Sequence, residues 1–266
     1  MSGYDPTLFE GTAPYYRKYR ERYDPVFVDI LTRELGLDGT GRLLDVGAGT
    51  GNVVVPLAPK FEEAVALDPD PEMLEEARAE AAEAGVSNIR WVAARAEDLP
   101  LGLGTFDLIT MAQAFHWMDR PRVVEILYDM LRDGGAVAII SNVRPEREDA
   151  DTTPWDDLKA LVRRYLGEDR RAGGGVYRDP GPPDVPFVGS RFQPVERHLA
   201  ITRHRRSRTP DDILGFLFST SWAARRLFGD RVEDFERDVR TLLAERSPSG
   251  EFPYVSSDVE VLIFRR

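Results

Sequence analysis

Short apolar runs alternate with helix-like stretches between residues 42 and 142 of the chain. The segments 43–46, 65–67, 106–111 and 135–140 are mainly apolar, which is typical of strands buried on both faces of a sheet. Between them, polar and apolar positions follow helical spacing. This alternation predicts an α/β fold with a parallel, doubly wound sheet.

Local signals mark the ends of several helices. Asp70 and Pro71 have the residue types of an N-cap and a first helical position, and Gly85 ends that helix. The same signals bound a helix over residues 24–36. Pro56 cannot donate an N–H and fits only near a first turn, so the helix after the glycine-rich run is expected to be short.

The pattern changes after residue 145. Residues 146–190 combine one helical stretch, 154–166, with loops rich in glycine and proline, and a long loop of this kind is typical of a lid or of disorder. We therefore expect residues 146–190 to be a lid over the functional site. The sheet is expected to resume at 193–202 and to end with a strand at 257–264, with helices at 211–218 and 230–245 between them. The expected regions are an N-terminal helical cap (1–40), a core (41–145), the lid (146–190) and a C-terminal completion of the sheet (191–266).

Composition and charge narrow the possible partners. The 266 residues include no cysteine, which excludes disulfides and thiolate metal ligands, and the formal net charge of −11 disfavours a nucleic-acid partner. No run approaches the ~18 apolar residues of a membrane span, and the first 23 residues lack the apolar region of a signal peptide. We expect a cytoplasmic protein, monomeric or homodimeric, with no membrane and no nucleic acid as partner.

One basic segment runs against the acidic balance. Residues 203–208 read RHRRSR, and we interpret them as the solvated end of the strand that begins near Pro194. Contact with an anion or with RNA is the alternative.

Residues 43–51, LLDVGAGTG, carry the most specific chemistry. A strand with an acid near its end leads into three alternating glycines, which tolerate positive φ and let a ligand approach bare backbone. A dinucleotide fingerprint requires a small residue where this chain has Asn52, and an ATP-binding loop requires Lys and Ser or Thr after its glycines. The spacing therefore disfavours both NAD and ATP.

The segment 45–51 resembles motif I of class I S-adenosylmethionine (SAM)-dependent methyltransferases, Asp/Glu-x-Gly-x-Gly-x-Gly, and similar matches continue to residue 142. Asp68 ends the second predicted strand, where this family has the acid that holds both ribose hydroxyls. Met73 matches the family's apolar contact to adenine. Arg95 stands where many members have an Asp near the adenine amine, so the resemblance assigns adenine recognition to the backbone around Ala96 and to Glu97.

Residues 112–119, AQAFHWMD, are similar to the methyltransferase type 11 subgroup, which includes trans-aconitate methyltransferase-like and many natural-product enzymes. The resemblance implies a Rossmann-like, seven-stranded, mostly parallel sheet with N-terminal helices and an inserted lid. Its last strand would be antiparallel and lie between the fifth and sixth strands.

The resemblance implies S-adenosyl-L-methionine as cofactor and S-adenosyl-L-homocysteine as product. An N-terminal Tyr-x-x-Tyr-Arg pattern closes over SAM in related enzymes; packing of an N-terminal helix on the sheet is the alternative here. The cofactor-binding residues expected on this basis are Tyr16, Tyr19, Arg20, Asp45, Gly47, Ala48, Gly49, Asp68, Pro69, Met73, Ala96, Glu97 and Gln113.

His116 is the candidate catalytic residue. It lies three positions after Gln113, and an unperturbed pKa of about 6.5 suits a general base. The alternatives are that it packs the loop or contacts the cofactor. Asp119 is expected to cap a helix. With only three histidines no histidine-rich metal site is expected, and His198 and His204, both on the presumed sixth strand, are expected to be structural or solvated.

Together these expectations predict a methyltransferase that acts on an oxygen, nitrogen or carboxylate of a small organic molecule, such as a secondary metabolite. The alternatives are a SAM-binding protein that catalyses a non-methylating reaction or senses SAM, and an RNA methyltransferase. Arginines could pair with a carboxylate substrate and aromatic residues could line an apolar pocket, although exposed arginines and core aromatics are common. The residues concerned are Arg144, Arg178, Trp155, Phe187, Phe192, Phe216, Phe218 and Trp222.

Overall fold

The computed structural model describes residues 5, 7–144, 151–169, 171–172, 175–176 and 181–266. The strands are β1 (Arg42–Val46), β2 (Glu63–Asp68), β3 (Ile89–Ala93), β4 (Phe106–Ala112), β5 (Leu131–Val143), β6 (Arg171–Ala172), β7 (Gly175–Val176), β8 (Glu196–Ala200), β9 (Arg205–Arg208), β10 (Phe252–Val255) and β11 (Asp258–Arg265). The α-helices are α1 (Ala13–Tyr19), α2 (Val26–Leu35), α3 (Val54–Leu57), α4 (Pro71–Glu83), α5 (Arg120–Met130), α6 (Trp155–Leu166), α7 (Pro210–Phe218) and α8 (Val232–Arg246). Short 3₁₀ helices cover Ala58–Lys60, Ala96–Asp98, Phe115–Trp117, Val185–Phe187 and Arg225–Arg231.

The described residues belong to two compact units. The sheet unit takes residues from 22–143, 179–201 and 258–266, and the helical unit takes residues from 1–21, 144–178 and 202–257. In the part of the chain that the structure describes, no helix is both long enough and apolar enough to cross a membrane.

The sheet unit is built on seven strands in the order β3-β2-β1-β4-β5-β11-β8. The first five strands of this order are parallel, and β11 runs antiparallel to both of its neighbours, β5 and β8. The predicted fold class is confirmed: a mostly parallel, doubly wound, Rossmann-like sheet whose last strand is antiparallel and lies between the fifth and sixth.

The central strands are buried on both faces, as their uninterrupted apolar sequences predict. Leu43 and Leu44, which are adjacent in β1 and point to opposite faces, are both fully buried. Leu43 packs in a cluster with Phe27 and Leu31 of α2, and Leu44 packs in a second cluster with Leu127 of α5. Burial of each such side chain stabilises the fold by about 1.5–3 kcal/mol.

The predicted helix ends are confirmed. The Asp70 carboxylate accepts the Glu72 amide at 2.9 Å at the start of α4, and Gly36 ends α2 with a φ of +65°. Asp119 caps α5 by accepting the Arg122 amide at 3.4 Å. As Pro56 predicts, α3 is short, with four residues.

The helical unit has a core of its own. Helices α6, α7 and α8 contribute most of its buried side chains, and the Phe228 and Phe235 rings stack there at 3.9 Å. The two-stranded antiparallel sheet of β9 and β10 joins this core through Phe252. Arg208 of β9 lies over the Tyr254 ring at 3.5 Å and donates to Asp151 at 3.0 Å, which ties residue 151 to this small sheet.

The expectation for the basic segment was wrong in its placement. The sheet strand β8 ends at Ala200, and residues 205–208 form β9, a strand of the helical unit's two-stranded sheet. The pairing of β9 with β10, whose Phe252 is buried, explains why this segment leaves the sheet. His204 therefore precedes β9, whereas His198 does lie in the sixth strand of the sheet.

The bounds of the two units differ from the regions expected from composition. Residues 22–40 belong with the sheet, because the apolar stripe of α2 packs in the sheet's core. Residues 202–257 do not complete the sheet, because α7 and α8 share a separate core with α6. The predicted helix over 154–166 is present as α6, and the role of 146–190 as a lid stays a prediction.

Candidate functional site

The glycine turn after β1 is fixed by contacts with the end of β2. The amides of Gly47 and Ala48 both donate to the Leu67 carbonyl, at 2.7 and 3.0 Å, and the Gly49 amide donates to the Asp68 carboxylate at 2.8 Å. The carboxyl ends of the two parallel strands therefore meet at one edge of the sheet, where open α/β sheets bind ligands.

Glycine is favoured at positions 47 and 49 for different physical reasons. Gly47 has a φ of +73°, and a Cβ there would overlap the Cβ of Ala114, which follows β4. Gly49 has a φ of +53°, and a Cβ there would meet no other described residue within 4 Å. Gly47 thus permits close packing of the turn on the loop after β4, whereas Gly49 presents bare backbone to open space.

Asp68 is buried and accepts backbone hydrogen bonds through both oxygens. Its Oδ2 accepts the Gly49 amide at 2.8 Å, and its Oδ1 accepts the Asp70 amide at 2.9 Å. Burial raises the pKa of this carboxyl to about 6, although both amides oppose the rise. Each oxygen retains a lone pair, so the carboxylate could still accept from a ligand hydroxyl.

Asp45 is the second buried acid of the site. It is 1% exposed, and its Oδ1 accepts the Thr110 hydroxyl of β4 at 2.7 Å. Its Oδ2 is also buried and accepts no hydrogen bond from the described residues. Burial raises the pKa of Asp45 to about 7, and the charge of Asp68 adds to the rise.

The predicted adenine-side residues lie around the ends of β2 and β3. Pro69 is partly buried directly after β2, and Met73 is buried in the first turn of α4. Ala96 is buried in the 3₁₀ helix after β3, where the Glu97 carboxylate accepts the Asp119 amide at 2.9 Å. This bond connects the loop after β3 to the start of α5.

Arg95 does not take the place of the missing Asp near adenine. Its guanidinium forms two hydrogen bonds with the exposed Asp98 carboxylate, at 3.1 and 3.2 Å. The role that the resemblance assigns to Ala96 and Glu97 stays a prediction.

Gln113 and His116 lie on the loop after β4. Gln113 is exposed with a φ of +52°, a left-handed conformation that is uncommon outside glycine and that often marks a functional position. His116 lies in the next 3₁₀ helix, partly buried, with its ring 4.7 Å from the Trp117 ring. The loop contacts the glycine turn, because Ala114 packs on Gly47.

Tyr16, Tyr19 and Arg20 belong to the helical unit. The Arg20 guanidinium lies between the rings of Tyr16 and Phe216, at 4.9 and 4.8 Å, and donates to the Ser219 carbonyl at 3.2 Å. Tyr19 packs directly on Gly215 of α7. In this unit the N-terminal residues thus pack on α7, and their contact with a cofactor stays a prediction.

The six aromatic residues proposed for an acceptor pocket are divided between two cores. Phe187 and Phe192 are buried in the sheet unit, where Phe187 stacks on Phe264 at 3.8 Å. The other four belong to the helical unit: Phe218 is buried in its core, Trp155 and Trp222 pack against that core, and the Phe216 ring lies 5.1 Å from the Trp155 ring. Arg144 is exposed at the end of the β5 segment, and Arg178 lies outside the described residues.

Two residues that contribute to the site, Thr110 and Ala114, were not predicted from the sequence. Thr110 pairs with Asp45 across β1 and β4, and Ala114 is the small residue that meets Gly47. A signal for Thr110 was present: it is a hydroxyl residue in a mainly apolar strand, as expected for a partner of a buried acid.

A group of potential metal ligands was also unforeseen. Ligand atoms of Glu34, Glu196 and His198 lie within 4.8 Å of one another. Arg265 donates to both oxygens of Glu196, at 2.7 and 3.1 Å, and Arg33 pairs with Glu34 at 2.7 Å. Both carboxylates are thus already neutralised by arginines, and the group provides ion pairs within the sheet unit.

The described residues of this site fit a cationic nucleoside cofactor. Two buried carboxylates lie close enough for their charges to interact, and one oxygen of Asp45 has no hydrogen-bond partner in the part of the chain that the structure describes. Gly49 leaves open backbone beside Asp68. A ligand with hydroxyls and a positive charge would satisfy the acids, whereas a phosphate would be repelled by them.

Comparisons with known proteins agree with this geometry. A family described as a methyltransferase domain matches residues 43–135. The uncharacterized methyltransferase Rv3342 of Mycobacterium tuberculosis is 30% identical over 231 residues, which cover 86% of this chain and 82% of that protein.

Two solved structures share the fold. The YcgJ protein of Bacillus subtilis has a TM-score of 0.51 at 22% identity and covers 90% of this chain and 96% of its own. The precorrin 8w decarboxylase of Methanobacterium thermoautotrophicum has a TM-score of 0.52 at 12% identity and covers 98% of each chain.

The chain belongs to the class I SAM-dependent methyltransferases. The glycine turn that the sequence predicted, and the antiparallel strand between the fifth and sixth that the resemblance implied, agree with this family. The narrower subgroup indicated by residues 112–119 stays a prediction.

Replacing Gly47 by Ala should destabilise the protein more than replacing Gly49 by Ala. Both positions have positive φ, which costs an L-residue about 1–2 kcal/mol, but only Gly47→Ala adds an overlap with Ala114. Urea unfolding measures the difference. Ala114→Gly should recover part of the loss in Gly47→Ala and none in Gly49→Ala; equal losses in the two single variants would contradict the packing argument.

Asp45 should make the free protein less stable as the pH rises. Because its folded pKa of about 7 lies above the value of 3.8 that is usual for an aspartate, its stabilising contribution is complete below about pH 4 and is lost as the pH rises through 7. Asp45→Asn removes this dependence, on the order of a few kcal/mol. The free energy of unfolding of the wild type minus that of the variant should fall between pH 4 and 8.

The control for this measurement is Asp98→Asn, which alters an exposed carboxyl whose pKa Arg95 lowers. The free energy of unfolding of the wild type minus that of Asp98→Asn should not fall between pH 4 and 8. A constant difference for Asp45→Asn would show that Asp45 is not protonated in the folded protein.

Proposed function

We propose that the protein binds SAM at the ends of β1, β2 and β4 and transfers its methyl group to a small organic molecule. The observation that carries the proposal is the hydrogen bond from the Gly49 amide to the buried Asp68 carboxylate, beside open backbone. This arrangement joins an acceptor for ribose hydroxyls to a turn that a ligand can approach closely.

The bound cofactor would supply a methyl group activated by a sulfonium centre. Asp68 would accept hydrogen bonds from the ribose, and the turn at Gly47, Ala48 and Gly49 would provide backbone contacts. Asp45 would supply a buried negative charge near this turn. The remaining contacts with the cofactor would come from Pro69, Met73, Ala96, Glu97 and Gln113. Further contacts are proposed from three residues of the N-terminal segment, Tyr16, Tyr19 and Arg20.

The acceptor is proposed to be a small molecule because the chain is strongly acidic. A net charge of −11 opposes a polyphosphate substrate, and Arg208, the last residue of the basic segment, is committed to Asp151 and Tyr254. Oxygen, nitrogen and carboxylate acceptors all remain within the proposal.

His116 is proposed as the general base for a hydroxyl or amine acceptor. It lies on the loop that follows β4, at the edge where Gly47 packs on Ala114. A base there would take the proton that the acceptor loses as its bond to the methyl group forms. A carboxylate acceptor is already a nucleophile and would leave His116 without this role.

Incubation with methyl-labelled SAM and a panel of phenols, amines and carboxylic acids should produce S-adenosylhomocysteine and a labelled product. Asp68→Ala should weaken SAM binding, measured by calorimetry, at least about 100-fold, since each hydrogen bond to a charged group contributes about 1.5–3 kcal/mol. Asp98→Asn, an exposed acid, is the matched control and should keep the affinity.

Other outcomes of this experiment would favour other functions. Tight SAM binding without turnover on any acceptor would favour a non-methylating enzyme or a SAM sensor. RNA binding that weakens steeply with salt, and that is lost when Arg205 and Arg206 are replaced by Gln, would favour an RNA methyltransferase. Unchanged SAM affinity in Asp68→Ala would place the site elsewhere.

His116→Ala should lower turnover by about 10²–10⁴-fold with little change in SAM affinity, because a general base acts on the acceptor's proton. The acidic limb of the pH–rate profile should disappear with it. His116→Gln keeps much of the side chain's volume but cannot act as the base. Equal loss in both variants supports the base; activity retained by His116→Gln alone would assign His116 to packing.

A further inference from the structure

Asp45 and Thr110 are neighbours in a row of four buried side chains across the sheet. In the register of the parallel strands, Ala66 of β2 pairs with Asp45 of β1, Asp45 with Thr110 of β4, and Thr110 with Ala138 of β5. All four are at most 1% exposed. The two outer members are methyl groups, so within this row Thr110 is the side chain that can donate a hydrogen bond to the acid.

The hydrogen bond between them fixes the orientation of the carboxylate. The Thr110 hydroxyl donates to Oδ1 at 2.7 Å, and Oδ2 is left buried without a hydrogen-bond partner among the described residues. A β-branched residue in a strand has few χ1 rotamers, so the hydroxyl is held in place before any ligand arrives. Rotation of the carboxylate would break this bond.

The charge on Asp45 is costly in the free protein. Burial disfavours the ionised form and so raises its pKa, and Asp68 is the charged group of the described residues that adds to this rise. The Thr110 hydroxyl and, more weakly, the Val54 amide at the start of α3 favour the ionised form. A bound cation would remove the remaining cost.

We propose that Thr110 is a positioning residue that holds Asp45 in the orientation and charge state in which it binds the cationic cofactor. This inference rests on the proposed function. SAM carries one net positive charge, and S-adenosylhomocysteine carries none. Asp45, oriented by Thr110, therefore contributes more to binding of the cofactor than of the product, and a proton held by Asp45 passes to the solvent when SAM binds.

The test replaces Thr110 by Val, which keeps the branched shape and loses the hydroxyl, and by Ser, which keeps the hydroxyl. Calorimetry in buffers of different ionisation enthalpy measures SAM affinity and proton release from pH 5.5 to 9. With a pKa of about 7, the wild type should release about half a proton per SAM at pH 7.

Thr110→Val should shift the pH midpoint of SAM affinity upward by about one unit, which corresponds to about tenfold weaker binding below the midpoint. The affinity should recover at pH 9, and the preference for SAM over S-adenosylhomocysteine near pH 7 should fall by a similar factor. Thr110→Ser should restore the wild-type profile. Asp45→Asn should abolish the proton release altogether.

A role for Thr110 in packing alone would change thermal stability without moving the pH midpoint. Equal midpoints in the wild type and in folded Thr110→Val, or a failure of Thr110→Ser to restore the profile, would overturn the inference while SAM binding by the wild type upholds the proposed function. Absence of SAM binding by the wild type at every pH would overturn the proposed function, and this inference with it.

Discussion

The hydrogen bond from the Gly49 amide to Asp68 is the interaction on which the site depends. It ties the turn after β1 to the end of β2. Gly49, which donates it, has a positive φ, and a Cβ at this position would meet no other described residue within 4 Å. On the other side of the turn, Gly47 packs on Ala114 and so brings in the loop after β4. The ends of β1, β2 and β4 are thereby held together through the backbone of the turn, which contacts the Asp68 carboxylate on one side and Ala114 on the other.

The same arrangement buries two acids at positions where burial disfavours their ionised forms. Asp45 and Asp68 are both buried, and burial raises both pKa values. A core built only for stability would not put an acid beside alanines, so this cost is a mark of function. A cationic ligand compensates for it, and this electrostatic match is what distinguishes the site from a phosphate-binding turn on a similar sheet.

Much of the sheet unit could be predicted because its signals are local. Each signal acts within a few residues. Apolar runs mark strands that are buried on both faces, Asp70 caps α4, and Pro56 limits the length of α3. The location of residues 203–208 was predicted wrongly because it depends on pairing with β10, which lies more than forty residues away in sequence. Thr110 was not predicted for a related reason. Its hydroxyl stands out in an apolar strand, but only the strand register identifies Asp45 as its partner.

The fold fixes the cofactor side of the chemistry far more tightly than the acceptor side. Among the aromatic residues considered for the acceptor, Phe187, Phe192 and Phe218 are buried in the two cores, where they stabilise the packing. Those that keep partial exposure in the helical unit are Trp155, Phe216 and Trp222. Phe216 also borders the Arg20 guanidinium, so this part of the helical unit combines an apolar surface with a positive charge. Because one fold can carry many different sites, the choice of acceptor must be sought in side chains that the sheet does not constrain.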